Sequence, residues 1–275
     1  MKRRLVIIDG RNFRVRKQLI RDEPVGDIFG SEPITFTPDG VRAIAAHGEA
    51  IVVWDVESER REASWGSDLN EVAFSPDARV ALARKSGYQE GEYWERYEAF
   101  ELDGGHSLGV FDSPHPHDSR MLPVDSQRLY LLVLSDGAVG IHDLRSGEEW
   151  IVPDITAKET RDFNGAVSGD GQVLAIGLRE GGISMWNLPA MTMVRQRTGT
   201  GASVRAVRFS PDGAALAFSA DDRLCVWHFE PDHLTCVDVA YPMGIGDIEF
   251  APDSRALTTT GLMIGPRMKL WEVGR

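Results

Sequence analysis

Between residues 204 and 228 the chain alternates apolar and polar positions. Val204, Ala206 and Arg208 fall on one side of an extended segment; Arg205, Val207 and Phe209 fall on the other. A period of two predicts a half-buried strand. Ser210-Pro211-Asp212-Gly213 then breaks the pattern. Proline presets φ at the first corner of a turn, aspartate bonds nearby backbone N–H groups, and glycine accepts a positive φ. A short apolar run, 215–218 (ALAF), predicts a more central strand, and 224–228 (LCVWH) predicts a third strand ending on an aromatic and a polar residue.

The same design recurs. Copies of the turn stand at Phe36-Thr37-Pro38-Asp39-Gly40, Phe74-Ser75-Pro76-Asp77-Ala78 and Phe250-Ala251-Pro252-Asp253-Ser254, with degenerate copies at 122–126 (LPVDS) and 167–171 (VSGDG). They are spaced 38 to 48 residues apart, a period that signals a repeat architecture. Each copy is followed by a small-and-apolar run and then by a third strand. The third strands end at Trp54-Asp55, Phe100-Glu101, His142-Asp143, Trp186-Asn187, Trp227-His228 and Trp271-Glu272. A polar turn and a more polar fourth strand come next.

In this order of turn, strand, turn and aromatic-polar pair the chain resembles the WD-repeat β-propeller family over nearly its whole length. Only Trp54-Asp55 is a literal Trp-Asp pair, and the family's Gly-His dipeptide is missing ahead of the first strands. Packing and turns therefore have to supply more of the stability. The resemblance implies an all-β fold, a β-propeller of four-stranded antiparallel blades, read here as one domain over residues 1–275. Six repeats imply six blades. The chain stops just after a third strand, and 13–20 (FRVRKQLI) reads as a fourth strand without its own blade. Pairing of that N-terminal strand with the C-terminal blade would close the ring and remove an exposed edge. The alternative is seven blades with one truncated, in which 3–9 (RRLVIID) is a further third strand.

Composition changes this picture little. At 42% hydrophobic and 26% charged the chain is ordinary for a globular protein. A net charge of −12 argues against nucleic acid and anionic membrane surfaces as partners. Residues 1–20 are locally basic, which solvated strand faces explain. No signal peptide is visible, because Asp9 and Arg11 interrupt the apolar start, and no run approaches the roughly 20 apolar residues of a membrane helix. A cytoplasmic location is the expectation. Cys225 and Cys236 should face each other across one hairpin; reduced, buried thiols are expected there, with a bridge as the alternative.

Candidate chemistry lies at the blade ends opposite the Ser-Pro-Asp-Gly turns. The second repeat is about eight residues longer than its sisters, and the extra residues fall in 84–99 (RKSGYQEGEYWERYEA). Tyr88, Tyr93, Trp94 and Tyr97 lie in or beside this otherwise polar loop, and such residues beside charges suit an interface anchor. The alternative is a longer hairpin with Trp94 tucked against the blade. The extension 260–268, with Met263 and Ile264, serves equally well as cover or contact. The other loops at these ends are acidic: Glu49, Asp136, Glu180, Asp221 and Asp222, with Arg205 as the main counter-charge. Arranged round a pore they would favour a basic peptide or a cation, although each is also simple turn chemistry.

His115 and His117, with Asp112 and Asp118, could contribute to a metal site, but one loop supplies at most two good ligands and solvated histidines are the expectation. No G-x-S-x-G elbow, phosphate loop, H-E-x-x-H or Cys-x-x-Cys is present. No cofactor is expected. The sequence thus points to a non-catalytic scaffold that binds a protein or peptide partner, as subunit or adaptor of a larger assembly. The alternative is a propeller enzyme or metal-dependent binder using these carboxylates with His115 and His117.

Overall fold

A computed structural model describes residues 2–8, 15–24 and 34–273 except 38, 48, 117–118, 136, 157, 161–163, 189, 200, 202, 221, 240–243, 252 and 262–267. Every element among the described residues is a β-strand. The chain divides into two compact units, Met1–Pro116 and His117–Arg275.

In the first unit β1 (Lys2–Ile8) and β2 (Val15–Pro24) pair antiparallel as a two-stranded sheet. Blade 1 is β3 (Ile34–Phe36), β4 (Arg42–His47), β5 (Ala50–Asp55) and β6 (Arg61–Trp65). Blade 2 is β7 (Glu71–Phe74), β8 (Val80–Gln89), β9 (Glu92–Glu101) and β10 (Ser107–Asp112). Each blade is a four-stranded antiparallel meander. They pack through one apolar cluster in which Ile44, Ile51 and Val53 meet Val72, Ala81, Ala83 and Phe100.

The second unit holds four blades. Blade 3 is β11 (Ser119–Pro123), β12 (Leu129–Ser135), β13 (Ala138–Asp143) and β14 (Glu149–Thr156); blade 4 is β15 (Gly165–Val167), β16 (Val173–Gly177), β17 (Ile183–Asn187) and β18 (Thr192–Arg197). Blade 5 is β19 (Val207–Phe209), β20 (Ala215–Ala220), β21 (Arg223–His228) and β22 (His233–Asp238). Blade 6 is β23 (Ile245–Phe250), β24 (Ala256–Gly261) and β25 (Met268–Glu272). Separate clusters join blades 3 and 4, 4 and 5, and 5 and 6. The fold is a β-propeller of six blades, not seven. One expectation changes: among the described residues β2 pairs with β1 in place of the closing pairing predicted for the N-terminal strand, and blade 6 carries three strands. Neighbouring segments close a short loop at small entropic cost, which favours the local hairpin.

The repeated turn has one hydrogen-bond plan. In blade 5, Ser210 Oγ donates to Asp212 Oδ1 at 2.7 Å and accepts from the Ala215 N–H at 2.9 Å, while Asp212 Oδ1 also accepts from Ala214 N–H at 3.1 Å. Thr37, Ser75 and Ser168 repeat the plan with Asp39, Asp77 and Asp170. The last turn residue takes a left-handed φ whether it is Gly213 (69°), Ala78 (52°) or Ser254 (60°). In three blades the polar residue after the third-strand aromatic caps the next turn: Asp55, Asp143 and Asn187 accept from backbone N–H groups two or three residues on.

Cysteine pairing is a second correction. Cys225 and Cys236 stand directly opposite across β21 and β22, with Cα atoms 4.1 Å apart, and form a disulfide. Direct cross-strand opposition brings the two Cβ atoms close enough to bridge.

Candidate functional site

Blade 2 departs from the repeat where the sequence is longer. The extra residues form a hairpin extension, not an open loop. β8 and β9 pair without interruption out to Gln89 opposite Glu92. Glu90 (φ 54°) and Gly91 (φ 88°) make the two-residue turn, with the positive φ values that match strand twist in tight hairpins. Side chains alternate across it. Arg84, Ser86 and Tyr88 stand opposite Tyr97, Glu95 and Tyr93 on one face; Lys85, Gly87 and Gln89 stand opposite Arg96, Trp94 and Glu92 on the other.

The first face is organised by Glu95, whose side chain is fully buried. Its Oε1 accepts from Tyr97 OH at 2.7 Å and Ser113 Oγ at 2.9 Å; its Oε2 accepts from Tyr93 OH at 3.1 Å and lies 3.8 Å from Arg84 Nη1. Arg84 continues to Glu71 at 2.8 Å, and Asn70 Oδ1 accepts from the Ser86 N–H at 2.6 Å. A carboxylate is costly to bury unless charge-assisted hydrogen bonds offset the lost hydration, and this cluster supplies them. Burial pushes the Tyr93 phenol above its ordinary range. Tyr97 is 0% exposed and committed to Glu95, so it is a fixture of the hairpin and not a partner-binding side chain. The spacing Tyr93, Glu95, Tyr97 carries the signal: period two puts all three on one face, and two phenols flanking a carboxylate can satisfy it.

What remains exposed is selective. Tyr88 is 75% exposed and rests edge-on against Tyr93, with centroids 5.4 Å apart. On the opposite face the Trp94 ring lies over Gly87, where a Cβ would meet the indole at 3.2 Å. Arg96 stands 5.9 Å from the Trp94 ring centroid and pairs with Asp112 at 2.8 Å. Val110, 61% exposed, sits on β10 opposite Glu98, and Glu98 in turn pairs with Lys85 at 2.8 Å. The hairpin thus presents Tyr88 on one face and half-buried Trp94 with Val110 on the other, within a charged surround. Expected loop and tucked hairpin are each half right: the hairpin forms and Trp94 leans on it, while Tyr88 projects.

The acidic positions are less organised. Glu180 and Asp222 are exposed, and their carbonyl groups accept from Gly201 and Val239 N–H groups. Arg205 is half-buried, and its backbone N–H donates to Ser219 Oγ at 2.9 Å. No hydrogen bond or ion pair joins Arg205, Glu180 and Asp222 among the described residues. Asp136, Asp221, Met263 and Ile264 lie outside the described residues, as do His117 and Asp118. His115 is half-buried. Among the described residues no group of three or more His, Cys, Asp or Glu side chains could hold a metal ion.

The third-strand tryptophans take different partners. Trp271 Nε1 donates to Thr259 at 3.0 Å and Trp227 Nε1 to Asp232 at 2.7 Å, while the fully buried Trp186 Nε1 has no partner among the described residues. Asp232 also pairs with Arg197 of β18, whose guanidinium lies 4.8 Å over the Trp227 ring, so this tryptophan sits in a polar tie between blades 4 and 5.

Comparison with known proteins bears on the repeat. The family model for the WD domain, G-beta repeat, matches residues 192–228, that is, β18 to β21. The chain is 26% identical over 212 residues to Protein LST8 homolog of Drosophila melanogaster, and 26% identical over 126 residues to Pre-mRNA-processing factor 19 homolog 2 of Arabidopsis thaliana. These matches cover 70% and 46% of this chain but only 63% and 24% of those relatives' own lengths. Among solved structures, a chain of Kuenenia stuttgartiensis hydrazine synthase superposes with a TM-score of 0.69 at 13% identity, covering 98% of this chain and 89% of that one. A chain of the Mitotic Checkpoint Complex superposes with a TM-score of 0.63 at 15% identity, covering 91% and 77%. At such identities the structural likeness speaks for the fold alone. Repeat, blade topology and family match agree: this chain is a six-bladed β-propeller that carries a WD-type repeat at residues 192–228 and is similar to WD-repeat propellers.

Proposed function

We propose that this protein is a non-catalytic scaffold, a subunit or adaptor of a larger assembly, and that it binds a protein partner through the hairpin extension of blade 2. One observation carries the reading. The extension is longer than the repeat requires, is held by a buried carboxylate, and still projects Tyr88 at 75% exposure. A rigid, preorganised aromatic loses little conformational entropy when a partner covers it. The WD-domain match at residues 192–228 supports an interaction role. The net charge of −12 favours a partner that is not a polyanion. A cytoplasmic location belongs to the same proposal.

Replacing Tyr88 and Trp94 by alanine tests it. Capture from the native cell, followed by mass spectrometry, should lose one set of co-purifying proteins relative to wild type, with far-ultraviolet circular dichroism and the melting midpoint nearly unchanged. Equal retention of every partner by the double variant would remove the hairpin from the interface.

A further inference from the structure

A second surface belongs to the other unit. Between blades 4 and 5 lies a cleft of about 350 Å³. Its apolar wall is Val173, Met185, Val194, Phe209 and Phe229. Its mouth is formed by two copies of the repeated turn, Ser168-Gly169-Asp170 and Pro211-Asp212-Gly213. The cleft opens beside β18, an outer edge strand whose Met193 and Val194 are 43% and 49% exposed. Edge strands seldom carry exposed apolar side chains unless something covers them.

One of the two repeats at the cleft mouth is degenerate. Where its sister turn places Pro211, blade 4 has Gly169. A Cβ added there would meet nothing within 4 Å. Gly169 is not among the residues with positive φ, whereas Gly171 in the same turn is (71°). The backbone therefore does not require glycine at position 169. The turns themselves match: Gly171 N–H donates to Ser168 O at 2.8 Å, as Gly213 N–H does to Ser210 O at 2.9 Å. What the glycine changes is the space at the mouth.

Charge defines the occupant. Asp170 and Asp212 both face this mouth, and hydrogen bonds from Ser168 and Ser210 hold their carboxyls below the ordinary range, so both are ionised near neutral pH. The arginine of the lining, Arg195, is turned onto the wall. Its guanidinium carbon sits 5.4 Å over the Phe229 ring and Nη1 donates to Phe229 O at 3.4 Å. The nearby Arg128 is bound to Asp125 and also donates to the Asp170 carbonyl, where its charge helps hold that carboxyl low. Two carboxylates thus face solvent above an apolar, aromatic wall; Arg128 offsets part of the Asp170 charge, while Asp212 is held by hydroxyl and backbone N–H donors.

We infer that this cleft binds a short segment of a partner protein, seating one large aliphatic side chain against Phe209, Phe229 and Met185 and an adjacent Lys or Arg against Asp170 and Asp212. The volume is ample for a large aliphatic side chain, and the −12 net charge adds attraction for a basic segment. The inference rests on the scaffold reading but not on the hairpin of blade 2.

Methionine-methyl NMR of the full chain tests it, with Met185 assigned through a Met185→Leu variant. The probes are capped hexapeptides with a central Leu-Arg, Leu-Glu or Ser-Arg pair. The Leu-Arg peptide should shift the Met185 methyl with a Kd on the order of 0.1–1 mM, as one anchor and one exposed ion pair allow. The other two should bind at least about tenfold more weakly, as should Leu-Arg when salt screens the carboxylates. Gly169→Pro restores the repeat's own turn sequence and should fold normally while abolishing the shift. Val194→Arg, on the exposed edge, should do the same through a competing cation and serves if the proline variant misfolds. No shift with any peptide, equal shifts with Leu-Arg and Leu-Glu, or full binding by Val194→Arg would each overturn the inference. Loss of the hairpin partners with this binding retained would separate the two surfaces.

Discussion

Single residues decide what blade 2 can offer. Tyr88 and Tyr97 occur within one stretch of sequence, yet Tyr88 is 75% exposed and Tyr97 is 0% exposed. The difference is Glu95, which gathers Tyr97, Tyr93 and Ser113 beneath the hairpin. Replacing Glu95 by alanine leaves three hydroxyls and Arg84 without that acceptor. A loss of about 2–4 kcal/mol in urea unfolding is expected, against about 1 kcal/mol for Tyr97→Phe. A loss below about 1 kcal/mol for Glu95→Ala would mean that the cluster does not hold the hairpin. The repeated aspartates set a pH dependence. Hydrogen bonds keep Asp170 and Asp212 below their unfolded pKa, so the folded state binds fewer protons than the unfolded chain in that range. Their contribution is complete above the unfolded carboxylate pKa of about 3.9 and is lost as pH falls through the lower folded value. Wild type and Asp212→Asn should therefore converge in stability as pH drops from about 5 towards 2, measured by chemical unfolding at each pH. A constant gap would exclude an ionised Asp212 as the source.

At the scale of the element, one turn is written six times with different fidelity. The serine version uses the hydroxyl as donor and acceptor together. Blade 6 has Ala251 there and retains the backbone pair, Ala251 N–H to Ala256 O at 2.8 Å. Ser210→Ala should therefore keep the fold and cost about 1–2 kcal/mol, the value of one buried hydroxyl with two partners. The hairpin β21–β22 carries the other element-scale prediction. Alkylation of unreduced, unfolded protein should add nothing to either of its two cysteines. Replacing both by serine should lower stability by up to about 3 kcal/mol, the chain-entropy value for so short a loop. Quantitative alkylation without reductant would show that the thiols are not paired in the purified protein. The turns and strand order were legible because proline, aspartate and a period of two act within a few residues. The disulfide was half legible: the register was readable, but the choice between bridge and thiols was not written in the spacing.

Within each unit, stability comes from apolar faces meshing between successive blades, and the Trp227–Asp232–Arg197 tie adds a polar link between blades 4 and 5. Trp186 is the largest fully buried side chain, packed in the cluster that joins blades 3 and 4. Trp186→Ala should cost about 3 kcal/mol or more through the cavity it leaves. Between blades 5 and 6 an ion pair adds to the packing: Arg208 reaches Asp247 at 3.1 Å and Glu249 at 3.4 Å. The outer strands carry the exposed apolar residues, Val110, Ile151, Val194 and Val237 among them.

By itself the sequence determined the repeat, the turn that defines it, the four-strand plan and the number of blades, because each depends on residues close together in the chain. It located the unusual blade but not its form. Whether a face of an alternating strand is buried depends on what packs against it, and that neighbour comes from a distant part of the sequence. Tertiary structure alone decided that Tyr97 turns inward to Glu95 while Tyr88 turns outward. It also decided that β1 takes β2 as its partner and that a cleft lies between blades 4 and 5.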